Sequence, residues 1–146
     1  MALKIILKPN ERMIVGGAVV RNGNAKTELF VENNIPLLRE KDILSEAEAD
    51  TPCKRIYFAI QLMYVDGENL SEHQVVYWEL VKELVRAAPS TIVYVDEISE
   101  NIVSGRYYQA LKTAQRLIEY ETEVTSNVHS TAGDLQKRAE DHHVRP

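Results

Sequence analysis

The sequence predicts an α+β fold, in which a small N-terminal antiparallel β module precedes a C-terminal helical bundle and a flexible tail. Three patterns indicate this. Short apolar runs separated by turn residues fill residues 1–44, helical periodicity fills residues 45–124, and residues 125–146 lose both patterns. A chain of 146 residues is long enough for one domain or for two small modules that share a core.

The β module contains five predicted strands, at residues 2–8, 12–15, 18–21, 27–31 and 35–38. Side chains of the first strand alternate between two faces, and the outer, basic face comprises Lys4, Ile6 and Lys8. Gly16-Gly17 is typical of a tight hairpin turn. Such close spacing favours a small antiparallel meander or barrel that buries one face against the helices or a second subunit.

Four amphipathic helices are predicted after residue 44. Ser45 with Glu48 forms a capping-box pattern, and Thr51 before Pro52 is a second helix-start signal. Apolar residues then recur at helical spacing, and the pattern breaks at three places: residues 66–69, Pro89 and Ser104-Gly105. Four helices in up-down order make a small bundle.

Charge is divided unevenly between the two modules. The net charge of −5 argues against a general nucleic-acid binder, because affinity for phosphate depends on lysine and arginine. Residues 1–44 nevertheless carry seven basic and five acidic side chains, whereas residues 45–146 carry ten basic and seventeen acidic ones. The two modules are therefore suited to different partners.

The sequence favours a cytoplasmic protein with no membrane partner. No apolar run approaches the roughly 20 residues that span a bilayer, and the start MALKIILKPNER has no signal-peptide cleavage pattern. The single cysteine, Cys53, cannot form an intramolecular disulfide and fits a reducing compartment.

No motif for catalysis or metal binding is present, so we expect neither an enzyme nor a cofactor. The histidines (His73, His129, His142 and His143) lack HExxH spacing and a cysteine partner. A GxSxG elbow and a phosphate-binding loop are both missing, and Cys53 has no evident histidine beside it.

Two surfaces are candidates for binding. The first would contact RNA if the first and last strands are neighbours, because arginine reads unpaired bases and lysine holds phosphates. Its candidate residues are Lys4, Ile6, Lys8, Arg12, Arg39 and Lys41. From composition alone, solvated lysines on an edge strand are the simpler explanation. The second surface is the tyrosine-rich face of the helices, for which core and rim packing is likewise simpler than protein binding.

The stretch LLREKDILSEAEADTPCKRIYFAIQLMYVD, supported by KPNERMIVGGAVVRNG, resembles the FlbT family of post-transcriptional regulators of bacterial flagellin synthesis. The resemblance runs from Leu3 to about Glu119. It implies that the partner is flagellin mRNA, bound at its 5′ untranslated leader. Binding would repress translation of this mRNA or promote its decay; in some relatives the effect is activating.

The helices would bind a flagellar regulatory or chaperone protein. The alternative is a protein-only adaptor or chaperone of flagellar export, in which the strands dimerise.

A second resemblance concerns the β module. NERMIVGG followed by TELFV and PLLREKDIL is similar in order to the small RNA-binding carbon storage regulator family, whose members are strand-swapped dimers that read a GGA loop through their first and last strands. Arg39 matches that family's key arginine, Glu40 and Ile43 match the residues after it, and Lys8 matches a basic residue ending strand 1. Leu7 stands where that family has a second arginine, and the loop between TELFV and IPLL is shorter. The resemblance implies an RNA contact at Arg39 and adds a homodimer to the expectations.

Arg39 is accordingly predicted to bind RNA rather than to serve the fold. The competing interpretation is an ion pair with Glu40, Asp42 or an acidic side chain of a helix. Such a pair, if exposed, would contribute about 0–1 kcal/mol of stability.

Overall fold

The protein consists of two small β-sheets and a bundle of four helices. The computed structural model describes the backbone of residues 2–144 and the side chains of residues 2–126. Its strands are β1 (Leu3–Leu7), β2 (Arg12–Val15), β3 (Ala18–Arg21), β4 (Thr27–Val31) and β5 (Leu37–Arg39), and its helices are α1 (Pro52–Val65), α2 (Leu70–Ala87), α3 (Ile92–Val103) and α4 (Tyr107–Val144). The predicted α+β class, with a β module before the helices, is confirmed.

The strands pair in an order that differs from a meander. β1 pairs with β4, and β2 lies between β3 and β5, all antiparallel. A meander would pair each strand with the next, but only β2 and β3 do so here. Gly16 and Gly17 close that hairpin with φ angles of 55° and 89°, a conformation that glycine adopts without a steric penalty.

The three-stranded sheet lies between the β1–β4 pair and the helices. Ile14 and Leu38 are opposite each other across β2 and β5, and both belong to the core of the helical bundle. Met13 points the other way and packs with Ile5 and Leu7 of β1. Because side chains alternate along a strand, β2 and β5 contribute to both cores. The β module and the helices therefore share buried residues.

Helix α1 packs against both α2 and α4 and begins where the sequence predicts. The side-chain oxygen of Thr51 accepts a hydrogen bond from the Lys54 N–H at 3.2 Å, and Pro52 occupies the first helical position. Glu121 of α4 accepts hydrogen bonds from the Thr51 hydroxyl and the Cys53 N–H, so α4 covers the same helix end.

The capping-box pattern at Ser45 forms its two hydrogen bonds, but no α-helix follows it. The Ser45 N–H donates to Glu48 Oε1 at 3.1 Å, and the Glu48 N–H donates to Ser45 Oγ at 3.2 Å. The chain makes only a turn there. Pro52 disfavours helical backbone at Thr51, which is extended, so the turn at residues 46–48 does not continue into α1. The first of the two predicted helix starts is therefore wrong.

The other helices are separated at the predicted breaks. α2 ends just before Pro89, and α3 ends before Gly105, whose φ is 74°. α4 continues through residue 144. The side chains of the tail predicted at residues 125–146 lie almost entirely outside the described residues.

Candidate nucleic-acid interface

Three of the six predicted RNA-binding residues meet at one open cleft near the ends of β1 and β5. The cleft has a volume of about 420 Å³ and is lined by Lys8, Pro9, Glu11, Arg39, Glu40 and Lys41. Within residues 2–126 neither the Lys8 nor the Lys41 ammonium group takes part in an ion pair. Both ammonium groups are therefore available to an anionic ligand.

A tight turn after β1 presents Lys8 to the cleft. The Glu11 N–H donates to the Lys8 carbonyl at 3.1 Å, and Asn10 takes a φ of 63°, which asparagine tolerates better than most residues. The side-chain amide of Asn22 donates to the same carbonyl at 2.8 Å. Lys41 reaches the cleft from a short 3-10 turn that directly follows β5.

Arg39 connects β5 to β1 through its side chain. Its Nη2 donates to the Ile6 carbonyl at 2.7 Å and pairs with Glu11 Oε2 at 3.0 Å. β1 and β5 belong to different sheets, so they are neighbours through this guanidinium and not through backbone pairing. The competing interpretation, an ion pair with Glu40, Asp42 or an acidic side chain of a helix, is wrong in its partner, because the structure pairs Arg39 with Glu11 in the turn before β2.

Glu11 is held in its charged form inside the cleft. The Lys8 N–H donates to Oε1 at 3.0 Å, and this bond, followed by the hydrogen bond from Arg39, holds the pKa of Glu11 below its ordinary value. At neutral pH the carboxylate therefore faces the guanidinium and orients it. A phosphate entering the cleft would compete with Glu11 for Arg39.

The other three predicted residues lie outside this cleft. Lys4 and Ile6 are exposed on the outer face of β1, where Lys4 is 3.4 Å from a carboxylate oxygen of Glu28. Arg12 Nε lies 3.8 Å from Glu40 Oε1 and lines a neighbouring depression. Glu40 lines both depressions and so stands between Arg12 and the Arg39 cleft.

The sequence did not predict Phe30, an exposed aromatic residue on the outer face of the β1–β4 pair. Phe30 of β4 lies opposite Lys4 and is 60% exposed. The signal that could have found it is alternation along β4, which places Phe30 on the same face as Glu28. An exposed ring next to a cation is a platform on which an unpaired base can stack.

The tyrosines of the helices mostly serve packing. Tyr77 is fully buried, and the Tyr57 hydroxyl donates to the Asp42 carbonyl. The Tyr64 hydroxyl accepts a hydrogen bond from the Leu37 N–H at 3.1 Å. Tyr57 and Tyr64 therefore attach β5 and the turn after it to α1, which agrees with core and rim packing.

The cysteine and His73 are placed for structure. Cys53 is 1% exposed, and burial, with the Glu121 carboxylate beside it, raises its pKa to about 12, so the thiol stays protonated. His73 lies 2.9 Å from Asp66. Among residues with described side chains, no three His, Cys, Asp or Glu groups cluster as metal ligands. His129, His142 and His143 lie outside those residues.

The described helices include none that is long and apolar enough to cross a bilayer.

Comparison with known proteins identifies the family. Residues 3–125 match the family described as "Flagellar protein FlbT". The chain is 42% identical over 132 residues to the "Probable flagellum biosynthesis repressor protein FlbT 1" of Bradyrhizobium diazoefficiens, covering 90% of each chain. It is 39% identical over 126 residues to a probable flagellum biosynthesis repressor FlbT of Rhodopseudomonas palustris, covering 86% of this chain and 99% of that one.

A third relative comes from Caulobacter vibrioides. The "Flagellum biosynthesis repressor protein FlbT" of Caulobacter vibrioides is 35% identical over 132 residues, covering 89% of this chain and 94% of the relative. No solved structure matches significantly. The family match, over residues 3–125, spans the β module, which contains the cleft, and the four helices as far as residue 125. The chain therefore belongs to the FlbT family of flagellar proteins.

Proposed function

We propose that this chain regulates flagellin synthesis after transcription by binding the 5′ untranslated leader of flagellin mRNA in the cytoplasm. Binding would repress translation or promote mRNA decay. The relatives are named as flagellum biosynthesis repressors, which supports a repressor role in flagellum biosynthesis. The cleft in the β module supports RNA as the target.

The observation that carries the proposal is the convergence of Lys8, Arg39 and Lys41 on one open cleft. Lysine ammonium groups neutralise phosphates, and a guanidinium can hydrogen-bond or stack on an unpaired base. Both described contacts of Arg39 use Nη2, and its other donors remain for a ligand. Three cations from two segments, one after β1 and one at the end of β5, suit a flexible single strand better than a rigid duplex.

The outer face of β1 would extend this interface. Lys4, Ile6 and Phe30 are exposed there and lie on one strand pair. An RNA strand leaving the cleft along this face would contact the Lys4 ammonium group and the Phe30 ring. Arg12, which lies on the other side of Glu40, would contact the RNA there. The proposed contact set is thus the predicted six residues together with Phe30.

A homodimer is part of the same proposal. β1 and β5 are each edge strands of their sheets, and β3 is exposed along its whole length. Its side chains Val19 and Val20 are uncovered. Edge strands with exposed apolar side chains are suited to pairing with another chain, and a second copy is the partner we propose.

A leader-fusion assay tests the proposal in cells that lack the gene for this chain. The wild-type protein should repress a reporter fused to the flagellin leader. Because the proposed phosphate contacts require both lysines, the double variant Lys8→Ala with Lys41→Ala should abolish this repression. The matched control, Lys82→Ala with Arg86→Ala, removes two exposed charges from α2 and should regulate normally. Protein levels are measured by immunoblot.

Two outcomes would contradict RNA binding at the cleft. One is full regulation by the Lys8 and Lys41 double variant at normal protein level. The other is equal regulation of a reporter without the flagellin leader. Either would favour the protein-only adaptor, which would act through the surface of the helices.

A further inference from the structure

An apolar groove runs between α1 and α2. It has a volume of about 410 Å³, and its apolar lining consists of Phe58, Ala59 and Leu62 from α1, Val76 and Leu80 from α2, and Ala49 from the segment before α1. Val76 is 47% exposed, although valine buries well in a core. The groove is therefore apolar surface between two packed helices that no side chain of residues 2–126 covers.

The length of the groove suits about two turns of a helix. Its lining residues span residues 55–62 on α1 and residues 73–80 on α2, which is about 10 Å or two helical turns on each. Phe58 and Leu62 are one turn apart, and so are Val76 and Leu80. Helix-in-groove recognition uses anchor side chains at this spacing.

The border of the groove is acidic. Glu72, Glu79 and Glu83 are exposed and, at 100° per residue, fall within about 40° of one another beside Val76. Within residues 2–126 none of the three takes part in an ion pair. Glu46 lines the groove as well.

Among the lining residues Arg55 is a cation, and it offsets this charge only in part. His73 also lines the groove, and its Nε2 lies 2.9 Å from Asp66 Oδ2. The negative border disfavours nucleic acid, whose phosphates it repels, and it disfavours a second copy that would add more glutamates of the same kind.

We propose that this groove binds an amphipathic helix of a partner protein, with apolar residues one turn apart and lysines or arginines along one flank. The apolar residues would fill the space between Phe58, Leu62 and Val76. The basic flank would face Glu72, Glu79 and Glu83. This gives the helical module a protein partner that is independent of RNA binding by the β module.

Two synthetic 16-residue peptides test the proposal on the full-length protein. Both carry leucines at helical anchor spacing; one has lysines along one flank, and the other has glutamates at the same positions. Isothermal titration calorimetry should show at least tenfold tighter binding of the lysine peptide. Equal affinity for the two peptides, or no binding of either, would overturn the proposal.

Point variants then locate the binding. Val76→Asp should reduce affinity for the lysine peptide at least tenfold, whereas Val93→Asp, at a 70% exposed position on α3, should leave it unchanged. Glu79→Lys with Glu83→Lys should reverse the preference between the peptides, which loss of folding would not do. Binding unaffected by Val76→Asp contradicts the proposal. A wild-type dimer that Val76→Asp separates would show that a second copy fills the groove, and would also overturn it.

Discussion

Replacing Leu38 with alanine is expected to destabilise the whole protein by about 2–5 kcal/mol, the usual cost of removing a buried leucine side chain. Leu38 is 1% exposed and lies in the helical core, although it belongs to a strand of the β module. Its removal leaves a cavity where β5 meets the bundle. Urea unfolding followed by far-UV circular dichroism and by fluorescence of the single tryptophan, Trp78, measures the loss.

The control for this variant is Leu3→Ala, which removes the same side chain from an exposed position and should change stability by less than about 0.5 kcal/mol. Because the two modules share buried residues, both probes should report a single transition. A loss below about 1 kcal/mol for Leu38→Ala would contradict the shared core. Two separate transitions would do so as well.

Replacing Arg39 with alanine is expected to weaken binding of the flagellin leader by about 1–3 kcal/mol, which is about 5-fold to 150-fold in affinity. Arg39→Lys should also weaken it, because an ammonium group lacks the planar donors and the stacking face of guanidinium. Arg86→Ala is the matched control, since it removes an exposed arginine from α2. Dissociation constants and melting curves are measured on the same samples.

Glu11→Gln separates the binding role of Arg39 from its structural one. This substitution breaks the ion pair but keeps the guanidinium, and it removes an anion from the cleft. If Arg39 contacts RNA, Glu11→Gln should retain or raise the affinity. If Arg39 only holds β1 near β5, Glu11→Gln and Arg39→Ala should lower affinity and melting temperature together. That result, or unaltered affinity in Arg39→Ala, would contradict the proposed contact.

The elements of this fold were predictable because their signals are local. The bounds of β2, β3 and β4 agree with the prediction, since turn residues such as Gly16-Gly17 interrupt short apolar runs. The start of α1 is marked in the local sequence by Thr51 and Pro52. Lys8, Arg39 and Lys41 are predicted from their chemistry and their places near strand ends, and Lys8 and Arg39 also from the resemblance to the carbon storage regulator family; the structure brings all three to one cleft.

The contacts between elements were not predictable, because they join residues distant in sequence. Glu11 and Arg39 are separated by 28 positions, and no local pattern indicates that they meet. The pairing of β1 with β4 rather than β2 depends on packing of the whole module. Phe58 and Leu62 were hidden for a different reason: α1 is apolar on several faces, and sequence periodicity does not show which face the other helices leave uncovered.

The most direct measurement is a salt titration of wild-type protein binding to flagellin leader RNA. If Lys8, Arg39 and Lys41 neutralise phosphates, the logarithm of the association constant should fall linearly with the logarithm of salt concentration, with a slope of about −2 for three contacts to a single strand. Binding in about 50 mM salt that weakens along this line is the result we predict. No binding in about 50 mM salt, or binding that salt does not weaken, would contradict it.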